Sequence, residues 1–199
     1  MDRPVDQPES PFEILRRLEN VARVGTIEEV RTTKPARCRV RCGDILTGWL
    51  PWVAGRAGGA AGSVWWPPVK GEQVLMLAPG GDLNNAMVMP GAFSDKMPQN
   101  GDSPAMFRMD FGGGAYMEHD AINGNFRLEA MASITIQCMG SSITIKEHEI
   151  TLSVGGATAT LNREGLRVTP DVIAGEVSLT KHVHPAVKRG GDETDPPKK

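Results

Sequence analysis

Two histidines one residue apart carry the clearest potential for chemistry in this sequence. His182 and His184 follow the β-patterned stretch EVSLTK, and the 199 residues include only four histidines. In an extended segment residues i and i+2 point to the same side, so both imidazoles can face one centre while Val183 turns away. Neutral imidazole is a common metal ligand. The spacing therefore predicts a metal site, which two ligands leave incomplete within one chain.

The neighbouring residues do not complete that site. Lys188 and Arg189 stand where a cupin-like site would have a carboxylate, and an amidohydrolase-like HxH would lie near the start of a much longer barrel. Three chains on a threefold axis would supply six imidazoles, which suits six-coordinate iron better than tetrahedral zinc. The alternative is an exposed pair of histidines that binds no metal.

Catalysis by a His-ligated metal is a further alternative. His119 and His148 could assist His182 and His184, but they fall in separate strand repeats, and no paired carboxylates or nucleophile–base set accompanies them. The glutamates that flank His148 have the alternating charges of a solvated face. We therefore expect no enzyme activity.

Short strands must position the histidines. Glycines and Pro170-Asp171 separate six alternating stretches, at 133–138, 142–147, 149–154, 157–161, 166–168 and 176–180. Each offers one face only a few apolar side chains, so a single copy cannot enclose a core of useful size. Three identical chains wound about one axis would supply the missing walls and cap the strand edges. A monomeric sandwich or a single-chain β-solenoid is the alternative.

A second strand pattern covers residues 22–95. Cys38, Val40 and Cys42 alternate with arginines, as in a half-buried strand, and further strands are predicted at 47–53, within 64–82 and at 85–93. About five short strands over roughly 70 residues suit a small barrel such as an OB-fold. Ahead of the barrel, apolar residues at helical spacing after Ser10-Pro11 predict a short amphipathic helix that Ser10 caps and that ends by Gly25.

Composition and charge limit the classes of partner. The net charge of −2 and the pI of about 6.1 give no overall attraction to nucleic acid or anionic membrane. Arg37, Arg39 and Arg41 share one strand face with tryptophans nearby, so nucleic-acid binding by an OB-fold stays an alternative. Apolar runs fall short of the roughly 18 residues of a membrane span, and residues 1–11 lack the apolar segment of an export signal. The three cysteines predict reduced, partly buried thiols.

The sequence resembles the baseplate assembly protein V family, the central spike proteins of contractile-tailed bacteriophages. The resemblance rests on RCRVRCGDILTGWLPWVAGRAG (37–58), VWWPPVKGEQVLMLAPGGD (64–82), MVMPGAF (87–93) and EVSLTKHVHP (176–185). It implies an all-β homotrimer with an OB-fold-like barrel, an intertwined triple-stranded β-helix and a pointed metal-binding apex. The domains we predict are an arm and short helix (1–21), the barrel (22–95), a connector (96–109), the β-helix (110–175), and the apex with its tail (176–199).

The same resemblance implies a structural function. His182 and His184 of three chains would bind one iron ion per trimer. The protein would be assembled in the host cytoplasm and reside in the tail baseplate of the virion, in contact with hub and tail-tube proteins. Sheath contraction would drive it through the host outer membrane. No nucleic-acid partner is expected.

Overall fold

The computed structural model describes residues 10–183 and residue 190. The chain divides into two compact units between Asp102 and Ser103. In the described residues α1 (Pro11–Val21) is the one α-helix, and strands make up most of the regular structure. The prediction of an all-β fold with a short N-terminal helix is confirmed.

The N-terminal unit is built on a five-stranded antiparallel sheet with the strand order β3-β2-β1-β4-β5. Its strands are β1 (Ala22–Arg31), β2 (Arg37–Cys42), β3 (Ile45–Leu46), β4 (Gln73–Leu77) and β5 (Met87–Ala92).

Alternate residues of these strands form the hydrophobic core of the N-terminal unit together with three residues of the connecting segments, Leu50, Ala78 and Ala86. The buried set is Ile27, Cys38, Val40, Cys42, Leu50, Val74, Met76, Ala78, Ala86 and Val88. Burying an aliphatic side chain of this size contributes about 1.5–3 kcal/mol. Gly25 lies opposite β2, where a Cβ atom would come within 2.5 Å of Val40 Cγ1. The alternation predicted for Cys38, Val40 and Cys42 is confirmed.

Two predicted strands of this unit are mostly loop. Within 47–53 the chain makes only isolated bridges, in which Leu50 exchanges backbone hydrogen bonds of 2.8 and 2.9 Å with Cys38. Within 64–82 only Gln73–Leu77 is a strand. Pro51, Pro67 and Pro68 have no N–H to donate, so a continuous ladder cannot run through these segments.

Helix α1 packs against the rest of the N-terminal unit through its polar side. Asn20 is buried, and the backbone of Arg17 lies so close to Gly81 that a Cβ atom there would be 2.3 Å from the Arg17 carbonyl oxygen. The apolar stripe of the helix is 42–67% exposed and consists of Ile14, Leu15, Leu18 and Val21. An amphipathic helix normally turns its apolar stripe to the core, so this orientation is inverted.

The ends of α1 agree with the prediction, except that the Ser10 side chain does not cap the helix. Ser10 occupies the N-cap position, and its carbonyl oxygen accepts hydrogen bonds from the N–H groups of Glu13 and Ile14 at 2.9 and 3.1 Å. Its side chain makes no capping hydrogen bond. The helix ends at Val21, because the chain enters β1 at Ala22.

The C-terminal unit is a succession of antiparallel hairpins in three sheets. A first sheet contains β6 (Met106–Gly112), β7 (Ala115–Asp120) and β8 (Asn125–Glu129). The second contains β9 (Ser133–Cys138), β10 (Ser141–Lys146), β11 (Glu149–Val154), β12 (Ala157–Asn162) and β13 (Gly165–Thr169). A last pair consists of β14 (Ile173–Ala174) and β15 (Val177–Ser178). Strand β6 begins inside the segment predicted as a connector, because Met106 already pairs with Asp120 of β7.

The sheet β9–β13 is apolar on one face, which we call the apolar face. Two rows of directly paired residues cross all five strands: Ile134–Ile145–Ile150–Leu161–Leu166 and Ile136–Ile143–Leu152–Ala159–Val168. The opposite face carries a row of threonines, Thr135–Thr144–Thr151–Thr160. None of the described residues between 103 and 183 is buried, and Ile136 and Leu166 are 62% and 65% exposed. The described residues of one chain therefore leave this face uncovered.

Candidate metal centre and assembly face

The backbone before His182 is a turn. Strand β15 ends at Ser178, Leu179–Lys181 form the turn, and the His182 N–H donates to the Ser178 carbonyl oxygen at 3.0 Å. The prediction of a strand over 176–180 is thus wrong beyond Ser178. The extended geometry expected to align two imidazoles can begin only at His182.

Asp171 organises this turn with both of its carboxylate oxygens. Oδ1 accepts from the N–H groups of Val172 at 2.8 Å and Thr180 at 3.2 Å, and Oδ2 accepts from the Ser178 hydroxyl. The Ser178 Oγ in turn accepts from the Lys181 N–H at 2.9 Å. The hydrogen bond from Ser178, followed by those from Thr180 and Val172, lowers the pKa of the Asp171 carboxyl. Sequence reasoning treated Pro170-Asp171 only as a break between strands and missed this role.

The ring of His182 is oriented by backbone carbonyls. Its Nδ1 lies 2.9 Å from the Ser178 oxygen and 3.0 Å from the Leu179 oxygen. Carbonyl oxygens only accept hydrogen bonds, so Nδ1 carries the proton and the neutral ring has its lone pair at Nε2. Metal-ligating histidines typically have this arrangement, which fixes the tautomer and the ring direction. His182 therefore fits a metal ligand that coordinates through Nε2.

The remaining histidines give the metal centre no further support within the described chain. His184 lies outside the described residues, so the shared face of the two imidazoles stays a prediction. His119 lies on β7 opposite Phe107 and Phe126, and His148 lies at the exposed β10–β11 turn, 3.4 Å from Glu147. Residues 10–183 contain no group of three or more His, Cys, Asp or Glu side chains that could hold a metal by themselves. A metal at His182 needs ligands from elsewhere.

Two of the three arginines of β2 are paired with glutamates of β1, whereas Arg37 Nη1 donates to the Ala36 carbonyl oxygen at 2.7 Å. Arg39 Nη1 lies 2.8 Å from Glu29 Oε1, and Arg41 Nε lies 3.1 Å from Glu28 Oε2. Hydrogen bonds from Lys70 and Arg41 lower the pKa of Glu28. These carboxylates offset two of the three positive charges on the strand face that suggested nucleic-acid binding, which weakens its attraction for a phosphate backbone.

Two of the three cysteines belong to the core. The Cys42 thiol donates to the Val24 carbonyl oxygen at 3.1 Å, and burial raises the pKa of Cys38 to about 11. All three thiols are free, with Cys138 exposed at the end of β9. The prediction of reduced and partly buried thiols agrees with this arrangement.

No helix among the described residues combines the length and apolarity needed to cross a membrane.

Comparisons with known proteins match both ends of the chain. Residues 23–93 match the family model described as "Type VI secretion system/phage-baseplate injector OB domain", and residues 177–198 match the "GpV Apex motif". The "Spike protein" of Escherichia phage P2 is 36% identical over 129 residues, which cover 65% of this chain and 60% of that relative. The prediction of an N-terminal OB fold is confirmed by the first match.

An injector-type OB domain and a GpV apex motif, in a chain that is similar to a phage spike protein, indicate a component of a phage tail baseplate. The two matched segments and the relative support the sequence resemblance to the baseplate assembly protein V family, and they indicate a location in the tail baseplate of the virion. The sequence resemblance to this family is confirmed.

Proposed function

We propose that this protein is the central spike of its baseplate, a homotrimer that sheath contraction drives through the host envelope. The similarity to the phage P2 spike protein supports this function, and the chain spans 60% of the length of that relative. Its role is structural rather than catalytic. The hub and tail-tube proteins hold its N-terminal end, and no nucleic acid takes part.

The proposal of a trimer rests on the apolar face of β9–β13, which the described residues leave uncovered. Ten paired apolar residues lie on one side of β9–β13, and none of them is buried by the described chain. Burying an isoleucine or leucine stabilises a protein by about 1.5–3 kcal/mol. Eight of the ten are isoleucine or leucine, and leaving them against water would forfeit most of that free energy. Three copies around an axis bury the face of each chain against the other two.

Trimerisation also accounts for the edges of this sheet. Strands β9 and β13 end the strand order, and an unpaired edge exposes N–H and C=O groups that invite uncontrolled pairing. In an intertwined triple-stranded β-helix the edges of one chain meet its neighbours. A wound β-structure with an apolar interior can transmit axial force without an unsupported edge.

We further propose that His182 and His184 of the three chains bind one iron ion at the apex. The orientation of His182, with Nδ1 on two carbonyl oxygens, supports coordination through Nε2. Six imidazole nitrogens suit an octahedral ion and leave no open position for a substrate. The ion would cross-link the three strand ends where the apolar interior has run out.

Neighbouring residues of β10 provide a matched test of the assembly. Ile143 lies on the apolar face, whereas Thr144 lies on the opposite face of the same strand. We expect Ile143→Asp to convert the trimer to lower-mass species in sedimentation velocity, because three carboxylates would be buried without partners. Thr144→Asp should keep the trimer mass. Equal behaviour of the two variants would contradict an assembly through the apolar face.

A further inference from the structure

The N-terminal sheet has a second apolar surface, opposite to its core. Two rows of paired residues cross β1, β4 and β5, namely Ala22–Leu77–Met87 and Val24–Leu75–Met89. We call this surface the outer face. The alternate residues of β4 and β5, Val74, Met76 and Val88, point to the opposite side of the sheet, into the core, and are completely buried.

The outer face is exposed in the single chain. Val24 is 63%, Met87 49%, Met89 39% and Leu77 37% exposed. A sheet with one solvated face normally alternates apolar and polar residues, whereas strands covered on both faces read as continuous apolar runs. VLML in β4 and MVM in β5 are such continuous runs. The sequences of β4 and β5 are therefore typical of strands that are covered on both faces.

The chemistry of the outer face favours contact with an uncharged surface. Neither row contains a charged side chain. The next row in register, Thr26–Gln73–Ala92, is uncharged on β1, β4 and β5, and its continuation on β2 is Arg41, which is paired with Glu28. A contiguous apolar surface of this kind marks an interface in soluble proteins. Such a surface can meet another copy of itself without repulsion between like charges.

We propose that the outer face packs against another copy of this chain, so that the OB domains contact one another in the trimer. This inference rests on the proposed homotrimer. Strand β5, which carries Met87 and Met89, is separated from β6 by residues 93–105, and the boundary between the two units lies within this segment. Even a fully flexible chain of that length would span only roughly 20 Å. Tethering at that range gives three OB domains effective concentrations of about millimolar or more, so their outer faces meet without any other protein.

The methionines of the N-terminal unit test this contact in the unmodified chain. Met87 and Met89 lie on the outer face, Met97 is 36% exposed outside it, and Met76 is buried. Methionine oxidation follows exposure, so limited treatment of the purified full chain with hydrogen peroxide, read by peptide mass spectrometry, reports which surface is covered. We expect Met87 and Met89 to oxidise about tenfold more slowly than Met97, approaching Met76.

Two variants test whether contact at the outer face is what protects Met87 and Met89 from oxidation. Val24→Glu places a carboxylate beside Leu75 and Met89, and should raise the oxidation rates of Met87 and Met89 to that of Met97. Val64→Glu changes a valine that is 47% exposed and belongs to neither row, and it should leave both methionines protected. Protection that survives Val24→Glu would overturn the proposal.

Sedimentation of the same samples separates this inference from the proposed function. A trimer in which Met87 and Met89 oxidise as fast as Met97 refutes the contact between OB domains and leaves the spike assembly standing. If the two methionines become protected only in assembled virions, another baseplate protein covers the face and the proposal is also wrong. A monomeric chain refutes the trimer and this contact together.

Discussion

Asp171 and Thr180, nine residues apart, are joined by a hydrogen bond of 3.2 Å from the Thr180 N–H to the Asp171 carboxylate. The same carboxylate holds the hydroxyl of Ser178, whose carbonyl oxygen contacts the ring of His182. Asp171 thus controls the path of the backbone into the histidine motif without touching a histidine. Its role is to position His182.

Replacing Asp171 with alanine should weaken metal binding at the apex. Loss of a residue that orients a metal ligand typically lowers affinity by about 10- to 100-fold. Asp171→Asn keeps an oxygen acceptor for the N–H groups of Val172 and Thr180 and should recover most of the affinity. Iron titration followed by elemental analysis measures the effect, while sedimentation should show an unchanged trimer mass. An alanine variant that binds iron as tightly as the unmodified chain would refute the positioning role.

Lowering the pH should separate metal release from loss of the Asp171 hydrogen bonds. Coordination requires neutral imidazole, whose ordinary pKa is about 6.5, so the metal should leave as the pH falls below that range. The pKa of Asp171 is lowered in the folded chain. Its stabilising effect is complete above the ordinary Asp value of about 3.9 and is lost only as the pH falls through the lower folded value. Near pH 5 we expect a metal-free protein in which the amide of Thr180 stays protected from hydrogen exchange.

Removing the two histidines should abolish metal binding and preserve the assembly. The double variant His182→Ala and His184→Ala lacks all six proposed ligands, whereas the rows on β9–β13 are untouched. His148→Ala, at the exposed β10–β11 turn, serves as the control and should retain the metal. Elemental analysis and sedimentation measure both properties. Metal retained by the double variant, or one full equivalent per chain in the unmodified protein, would rule out the proposed site.

Two adjacent glycines should differ sharply in their tolerance of alanine. Gly80 and Gly81 have φ angles of 63° and 74°, but a Cβ atom on Gly80 meets nothing within 4 Å, whereas one on Gly81 would lie 2.3 Å from the Arg17 carbonyl oxygen. Gly80→Ala should cost only the left-handed conformation, about 1–2 kcal/mol. Gly81→Ala adds a clash with helix backbone and should displace α1, with a larger fall in the midpoint of thermal unfolding. Equal midpoints would show that the contact between α1 and Gly81 is not close.

The sequence predicted β9–β12 well because isoleucine, leucine and threonine alternate there without interruption and glycines mark several of the turns. It overestimated the strands around Pro51 and Pro67-Pro68, where missing N–H groups stop the ladder. It also extended the last strand to residue 180, although side-chain hydrogen bonds from Asp171 compete with strand pairing at that point. The inverted orientation of α1 could not be predicted, because the contact between Arg17 and Gly81 depends on tertiary structure. Spacing alone identified His182, whereas the contacts that fix its tautomer emerge only from the folded turn.

Native mass spectrometry of the full chain is the sharpest test of assembly through the apolar face of β9–β13. We predict a species of three chains, each of 21.4 kDa, with the mass of one bound iron ion, and no folded monomer at micromolar concentration. A compact species of one chain under the same conditions would rule out assembly through this face.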